Sequence, residues 1–290
     1  MLENPLNDDH YQPQTDALLV VEALNGSKPS LELLIKRHQP FIYNIVWKMV
    51  LNPQNAEDIT QDILIKIITK LPQFQHKSQF RTWLYRIAVN HVLNVKKQFR
   101  EVQFTDFDTV ATVLQQLPDN DAPETIEDIK EDVKISCTAG MLLCLDRAQR
   151  IVFILGAIFN IKSQLGADIL EISAVNFRKR LSRARKDLHN FMNDNCGLIN
   201  KSNPCRCPKK TRAFIANGWT DPDDLQFNSR IITDLYKAVP KKNEVLLDIY
   251  EEKYQLLFSE HPLQRPLKEV EWVNNILKDK KIEQLFNLND

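Results

Sequence analysis

Three groups of residues in this chain have types and spacings that could do specific chemistry. The first lies between Phe80 and Lys97, where Trp83, Arg86, Asn90, Asn94 and Lys97 recur at helical spacing. On that reading they oppose an apolar stripe of Phe80, Leu84, Ile87, Ala88, Val92 and Val95. Cations suit phosphates, a flat ring suits an unstacked base, and an amide can bond a base edge. A tryptophan that only packs on a neighbouring helix fits the same spacing.

The second group follows Ser173. Phe177, Leu181, Ala184, Leu188 and Phe191 form one stripe, and Arg178, Lys179, Arg180, Arg183, Arg185 and Lys186 crowd the other faces. A basic helix with a narrow apolar seam can sit in a major groove, its cations on phosphates and its arginines on guanine edges. The third group is Cys196, Cys205 and Cys207, in a loop with prolines on either side of Cys205 and Cys207. Thiolates this dense could ligate zinc or a softer metal, act as a redox cluster, or simply stay reduced. His189 is the nearest further donor in sequence.

No catalytic constellation accompanies these groups. His261 has no nucleophile in a recognisable motif, Glu251 and Glu252 read as a solvated face, and none of the 6 glycines builds a phosphate-cradling loop. The expectation is a protein without enzymatic activity. Lys and Arg total 38 and Asp and Glu total 38, so only charge distribution can point to partners. The 5 cysteines, an odd number, suit reduced thiols or a metal better than a disulfide framework. Apolar residues recur at helical period and strand-like alternation is missing, so the fold class is all-α. No apolar run approaches the roughly 18 residues of a membrane span, and Met1–Tyr11 is polar, so a cytoplasmic protein without membrane insertion is expected.

The elements that must position these groups follow in order. Residues 1–14 read as disordered, and a domain at 15–100 begins with a helix at Thr15–Leu24, using Leu18, Leu19 and Val21 for packing. Ser30 caps a helix running to Val50 with Lys36, Arg37 and His38 outside. Asn55 caps another over Ala56–Leu71, with Asp58, Gln61, Asp62 and Lys66 on its outer face. Residues 101–128 form an acidic linker whose Pro118 and Pro123 break any helix. Residues 129–193 form a second helical domain with Cys137 and Cys144 as core thiols; its helix-turn-helix has a first helix at Ser163–Leu170, a turn at Glu171-Ile172 and a cap at Ser173. A Cys-containing loop spans 194–212, and a helical extension spans 213–290 with helices at Asp223–Val239, Lys241–His261 and Pro266–Phe286, and Trp219 and Trp272 in its core.

The segment NAEDITQDILIKIITKLPQFQHKSQFRTWLYRIAVN resembles the core domain of bacterial RNA polymerase sigma factors of the extracytoplasmic-function group, and LDRAQRIVFIL resembles the start of their C-terminal domain. The resemblance covers about Leu31 to Met192. It implies that Asp58, Gln61 and Asp62 dock on the polymerase, and that Phe74, His76, Lys77 and Ser78 line a pocket for a base flipped from the duplex. It implies that Trp83, Arg86 and Asn90 melt and read the minus-ten element, and that Asn176, Arg178, Lys179, Ser182 and Arg183 read the minus-thirty-five element. The implied partners are RNA polymerase core, promoter DNA and an anti-sigma factor. No cofactor is required, zinc or another metal at the cysteines being the one candidate. A helix-turn-helix regulator acting on duplex DNA without polymerase is the alternative. Two departures stand out: Glu171 occupies a turn position usually held by glycine, and Gly166 one usually apolar. The first requires a left-handed backbone, the second a close helix approach. The cysteine-bearing extension is not usual in this group, and its expected role is to regulate the DNA-binding domains.

Overall fold

The computed structural model describes residues 5–6, 11–96, 106–120, 127–223, 225, 257–258 and 269–288. Among them the regular structure is helical, with one isolated bridge between Cys196 and Cys205 and no strand. The all-α expectation holds. No described helix is long and apolar enough to cross a membrane.

The first bundle comprises α1 (Pro13–Leu24), α2 (Lys28–Val50), α3 (Pro53–Lys70) and α4 (Phe80–Asn94). Its axis is α2, buried at every residue from His38 to Val50 because α1, α3 and α4 all pack on it. Both long helices start earlier than their expected caps. Ser27 accepts from the Ser30 amide at 3.3 Å, and Asn52 accepts from the Asn55 amide at 2.8 Å. In each case a proline follows in the first turn, where its fixed φ favours the helix and its missing N–H is no loss. Ser30 instead donates to Glu22 at 2.6 Å, tying α1 to α2.

His38 is not at the surface. It is fully buried, with Nε2 3.0 Å from Asp16 Oδ2 and Nδ1 3.4 Å from the Tyr85 hydroxyl. Asp16 also accepts from the Tyr11 hydroxyl at 2.6 Å and lies 3.0 Å from Arg37 Nε. Leu19, Val20 and Ala23 are the buried apolar residues of α1, and Leu18 and Val21 are exposed. Residues 1–14 are not wholly disordered either. Leu6 and Tyr11 are buried, α1 begins at Pro13, and Arg81 holds the segment by donating to Pro5 O at 3.3 Å and stacking 4.2 Å over the Tyr11 ring.

The second unit contains α5 (Phe107–Gln116), α6 (Glu127–Met141), α7 (Arg147–Phe153), α8 (Ser163–Leu170), α9 (Ala174–Asn195) and α10 (Cys207–Ala216). A wide π turn at Ile154–Ile158 extends α7. The linker therefore holds a helix. Asp106 caps α5 by accepting from Thr109 N at 2.7 Å, and Val110 and Leu114 are buried. Its acids mask an apolar spacing that the prolines, lying beyond the helix, do not interrupt. Further on, Asp119 pairs with Lys210 at 2.9 Å.

From the extension, α11 (Glu269–Leu277) and α12 (Lys280–Phe286) are described, and Trp272 packs 6.2 Å from Tyr43 of α2. The expected helix at Pro266–Phe286 is broken where Asp279 caps α12. The expected helices at Asp223–Val239 and Lys241–His261 lie almost entirely outside the described residues.

Burial alone would raise the Asp16 carboxyl, but the hydrogen bond and charge of His38, the Tyr11 hydroxyl and the Arg37 guanidinium hold it below the usual carboxylate range. Its folded pKa is depressed, so its stabilisation is complete above the unfolded value of about 3.9 and is lost as pH falls below it. Asp16→Ala should cost about 3–5 kcal/mol at neutral pH by leaving buried partners uncompensated, and should flatten the acid limb. Urea titrations at pH 7 and below pH 4 would measure both.

Candidate nucleic-acid and polymerase interface

The helix-turn-helix forms as expected. Ser173 accepts from the Asn176 amide at 3.2 Å, and Glu171 takes a left-handed conformation with φ 54°. Gly166 permits the close approach of α8 to α9, since a Cβ there would stand 2.3 Å from the Phe177 ring. Phe177, Leu181, Ala184, Leu188, Phe191 and Met192 bury one face of α9. Asn176, Arg178, Lys179, Ser182 and Arg183 are all exposed on its outer side. These five residues form one open, basic surface of the kind that tracks a groove.

The α4 side differs from expectation in part. Trp83 is not opposite Phe80: residues three apart share a helix side, and the two rings lie 5.8 Å apart. Phe74 is buried and packs 5.2 Å from Trp83, 5.5 Å from Phe80 and 4.5 Å from His76. The loop phenylalanine is thus the floor of an aromatic cluster, leaving His76 and Lys77 exposed and Ser78 and Trp83 half-buried at its rim. Asn90 is exposed farther along α4. On α3, Asp58 and Asp62 are exposed and Gln61 is half-buried, so that acidic face is accessible.

Arg86 is engaged elsewhere. Its Nη2 donates to the Asp168 carbonyl at 2.6 Å, near the end of α8, and its Nη1 lies 3.3 Å from Glu171. Two further arginines, which the sequence reading passed over, work in the reverse direction. Arg150 is buried and donates to Met49 O at 2.6 Å and to Leu142, Leu143 and Leu145 O at 2.9, 3.0 and 3.1 Å. Arg147 donates to Leu93 O at 3.1 Å and also reaches Val95 O. Their spacing on an otherwise apolar helix was the available signal.

The cysteines come together differently from the sequence expectation. Cys196 ends α9, Cys205 bridges to it, Cys207 opens α10, and Cys137, read as a core thiol, faces the same region from α6. Cys144 is buried as expected.

Residues 34–100 match the family model for Sigma-70 region 2, which spans α3, the loop and α4. The chain is 36% identical over 81 residues to RNA polymerase sigma-H factor of Pseudomonas aeruginosa, covering 28% of this chain and 42% of that protein. It is 24% identical over 180 residues to RNA polymerase sigma factor CnrH of Cupriavidus metallidurans, covering 60% of this chain and 92% of that one. It is also 34% identical over 97 residues to the ECF RNA polymerase sigma-E factor of Escherichia coli, covering 33% of this chain and 50% of that protein. Residues 34–100 thus match a sigma-70 domain, and the proteins the chain is similar to are RNA polymerase sigma factors, the Escherichia coli one of the ECF group.

The helix-turn-helix unit is seated on the unit that matches region 2, with α8 packed against α4. The contact has two grades. Arg150 is sealed from water, whereas Arg86 and Glu171 keep 33% and 57% of their side-chain surface exposed. Arg86→Ala should therefore cost less than about 1 kcal/mol of stability. Arg150→Ala, which strands several buried carbonyls, should cost about 3 kcal/mol or more. Urea denaturation of the two variants side by side would separate a surface latch from a structural pin.

Proposed function

We propose that the chain binds RNA polymerase core through the Asp58, Gln61 and Asp62 face, reads the minus-ten element with the loop and α4, and reads the minus-thirty-five element with α9. The observation that carries this reading is the pairing, in one chain, of a region 2 match with a separate helix that exposes Asn176, Arg178, Lys179, Ser182 and Arg183 together. His76, Lys77 and Asn90 are the freest minus-ten candidates; Trp83 offers an edge for stacking from a half-buried position. No bond is made or broken in this role. Binding energy is used to hold an opened duplex, which costs a few kcal/mol per extruded base. Arg86 joins the DNA-facing set once the helix-turn-helix unit lifts from α4, a separation that also lets two units reach two promoter elements.

The test is run-off transcription with purified core polymerase on a promoter library. The wild type should give promoter-specific transcripts. Asn90→Ala and Arg183→Ala should each lower them roughly 5- to 150-fold, the range for losing one base contact. Trp83→Ala is a poorer probe because it also opens the aromatic cluster. A wild type that binds duplex tightly yet yields no transcript with core would establish the regulator that acts without polymerase.

A further inference from the structure

We infer that Cys137, Cys196, Cys205 and Cys207 form a four-thiolate site for a soft divalent metal of the zinc class, clipping α6, the end of α9 and the start of α10 together. This inference is independent of the promoter-reading role.

Three chain segments bring the backbones of the four cysteines into one neighbourhood. Cys196 is the residue at which α9 ends, its amide donating to Met192 O at 2.7 Å. The loop that follows folds back so that Cys205 bridges to Cys196, and the turn is fixed from within. Asn203 Nδ2 donates to Asn193 O at 2.8 Å and Cys196 O at 3.3 Å, and Asn200 Nδ2 donates to Asn193 O at 3.2 Å. Gly197 makes the closure feasible, because a Cβ there would stand 2.2 Å from Cys205 O. Cys207 then begins α10, which packs along α6. The fit brings in Cys137 from α6, and Ser136 beside it donates to Trp219 O at 3.1 Å just beyond α10.

All 5 cysteines are free thiols. Cys137 lies within electrostatic reach of Cys196, Cys205 and Cys207, as the packing of α10 along α6 and the bridge between Cys196 and Cys205 require. Zinc takes thiolate ligands in tetrahedral sets, so four thiols gathered from three segments are a ligand set of the right chemistry. Among the described residues no three His, Cys, Asp or Glu side chains already stand as a metal-holding set. Binding would draw the sulfurs in by side-chain rotation on a backbone already folded around them. Four thiolates complete a tetrahedral structural site without His189.

Full-length protein purified under reducing conditions should take up about one Zn²⁺ per chain when Zn²⁺ alone is added. Measured by mass spectrometry after alkylation, Zn²⁺ should protect Cys137, Cys196, Cys205 and Cys207, and a chelator should expose them. Cys137→Ser should weaken Zn²⁺ binding at least tenfold, whereas Cys144→Ser should leave it unchanged. If Cys137→Ser fails to fold, the alkylation pattern and the Co²⁺ absorption of the wild-type protein, which separates tetrahedral thiolate from other ligation, still decide the matter. Wild-type protein that binds no Zn²⁺, binding that leaves Cys137 open to alkylation, or recovery of these cysteines as disulfides would each overturn the proposal.

Discussion

A helix that ends against other protein leaves its last four carbonyls without amide partners, and water reaches them poorly. Here three such ends are satisfied by arginines from the other unit: Arg150 at the end of α2, Arg147 at the end of α4 and Arg86 near the end of α8. A guanidinium suits this position because it presents several donors in a plane and meets the negative pole of the helix dipole. The two units also share apolar packing, with Phe41 of α2 lying 6.3 Å from Phe159 in one core cluster, so arginine caps and apolar contact together set their relative placement. Carbonyls released from Arg86 or Arg147 can be hydrated, whereas separation at Arg150 and at Phe41 and Phe159 would expose buried groups.

The first bundle is arranged for the opposite purpose. Helix α2 is surrounded, and a buried ionic cluster, Asp16 with His38, Arg37 and Tyr11, lies between it, α1 and α4. Arg81 extends that closure to the N-terminal segment, and Trp272 brings the far end of the chain onto Tyr43. Such packing fixes the loop and α4 against one another.

What the sequence made legible was local. The helix-turn-helix limits, the left-handed Glu171 and the close approach at Gly166 all follow from short-range rules of capping, sterics and period, and they stand as read. The basic face of α9 was legible for the same reason. Misreadings came where a partner lay far along the chain. His38 looked exterior because the amphipathic rule assumes one buried face, and α2 has none exposed beyond that point. Arg86 looked free because Asp168 and Glu171 are distant in sequence, whereas Cys137 does pack against the core as read. The α5 helix was hidden by composition: its acids suggested a tether, while Val110 and Leu114 were enough to pin it.

Glu171 sets a limit on how strongly the turn can hold the helix-turn-helix unit to α4. A glutamate with positive φ carries a backbone penalty of about 1–2 kcal/mol that glycine would avoid, and an exposed ion pair with Arg86 returns at most about 1 kcal/mol. The residue is therefore not there for stability. Strain at the turn weighs equally on docked and separated units, whereas the pair stabilises only the docked arrangement. In the separation proposed above, the pair with Arg86 would thus shift the ratio of docked to separated units by no more than about fivefold.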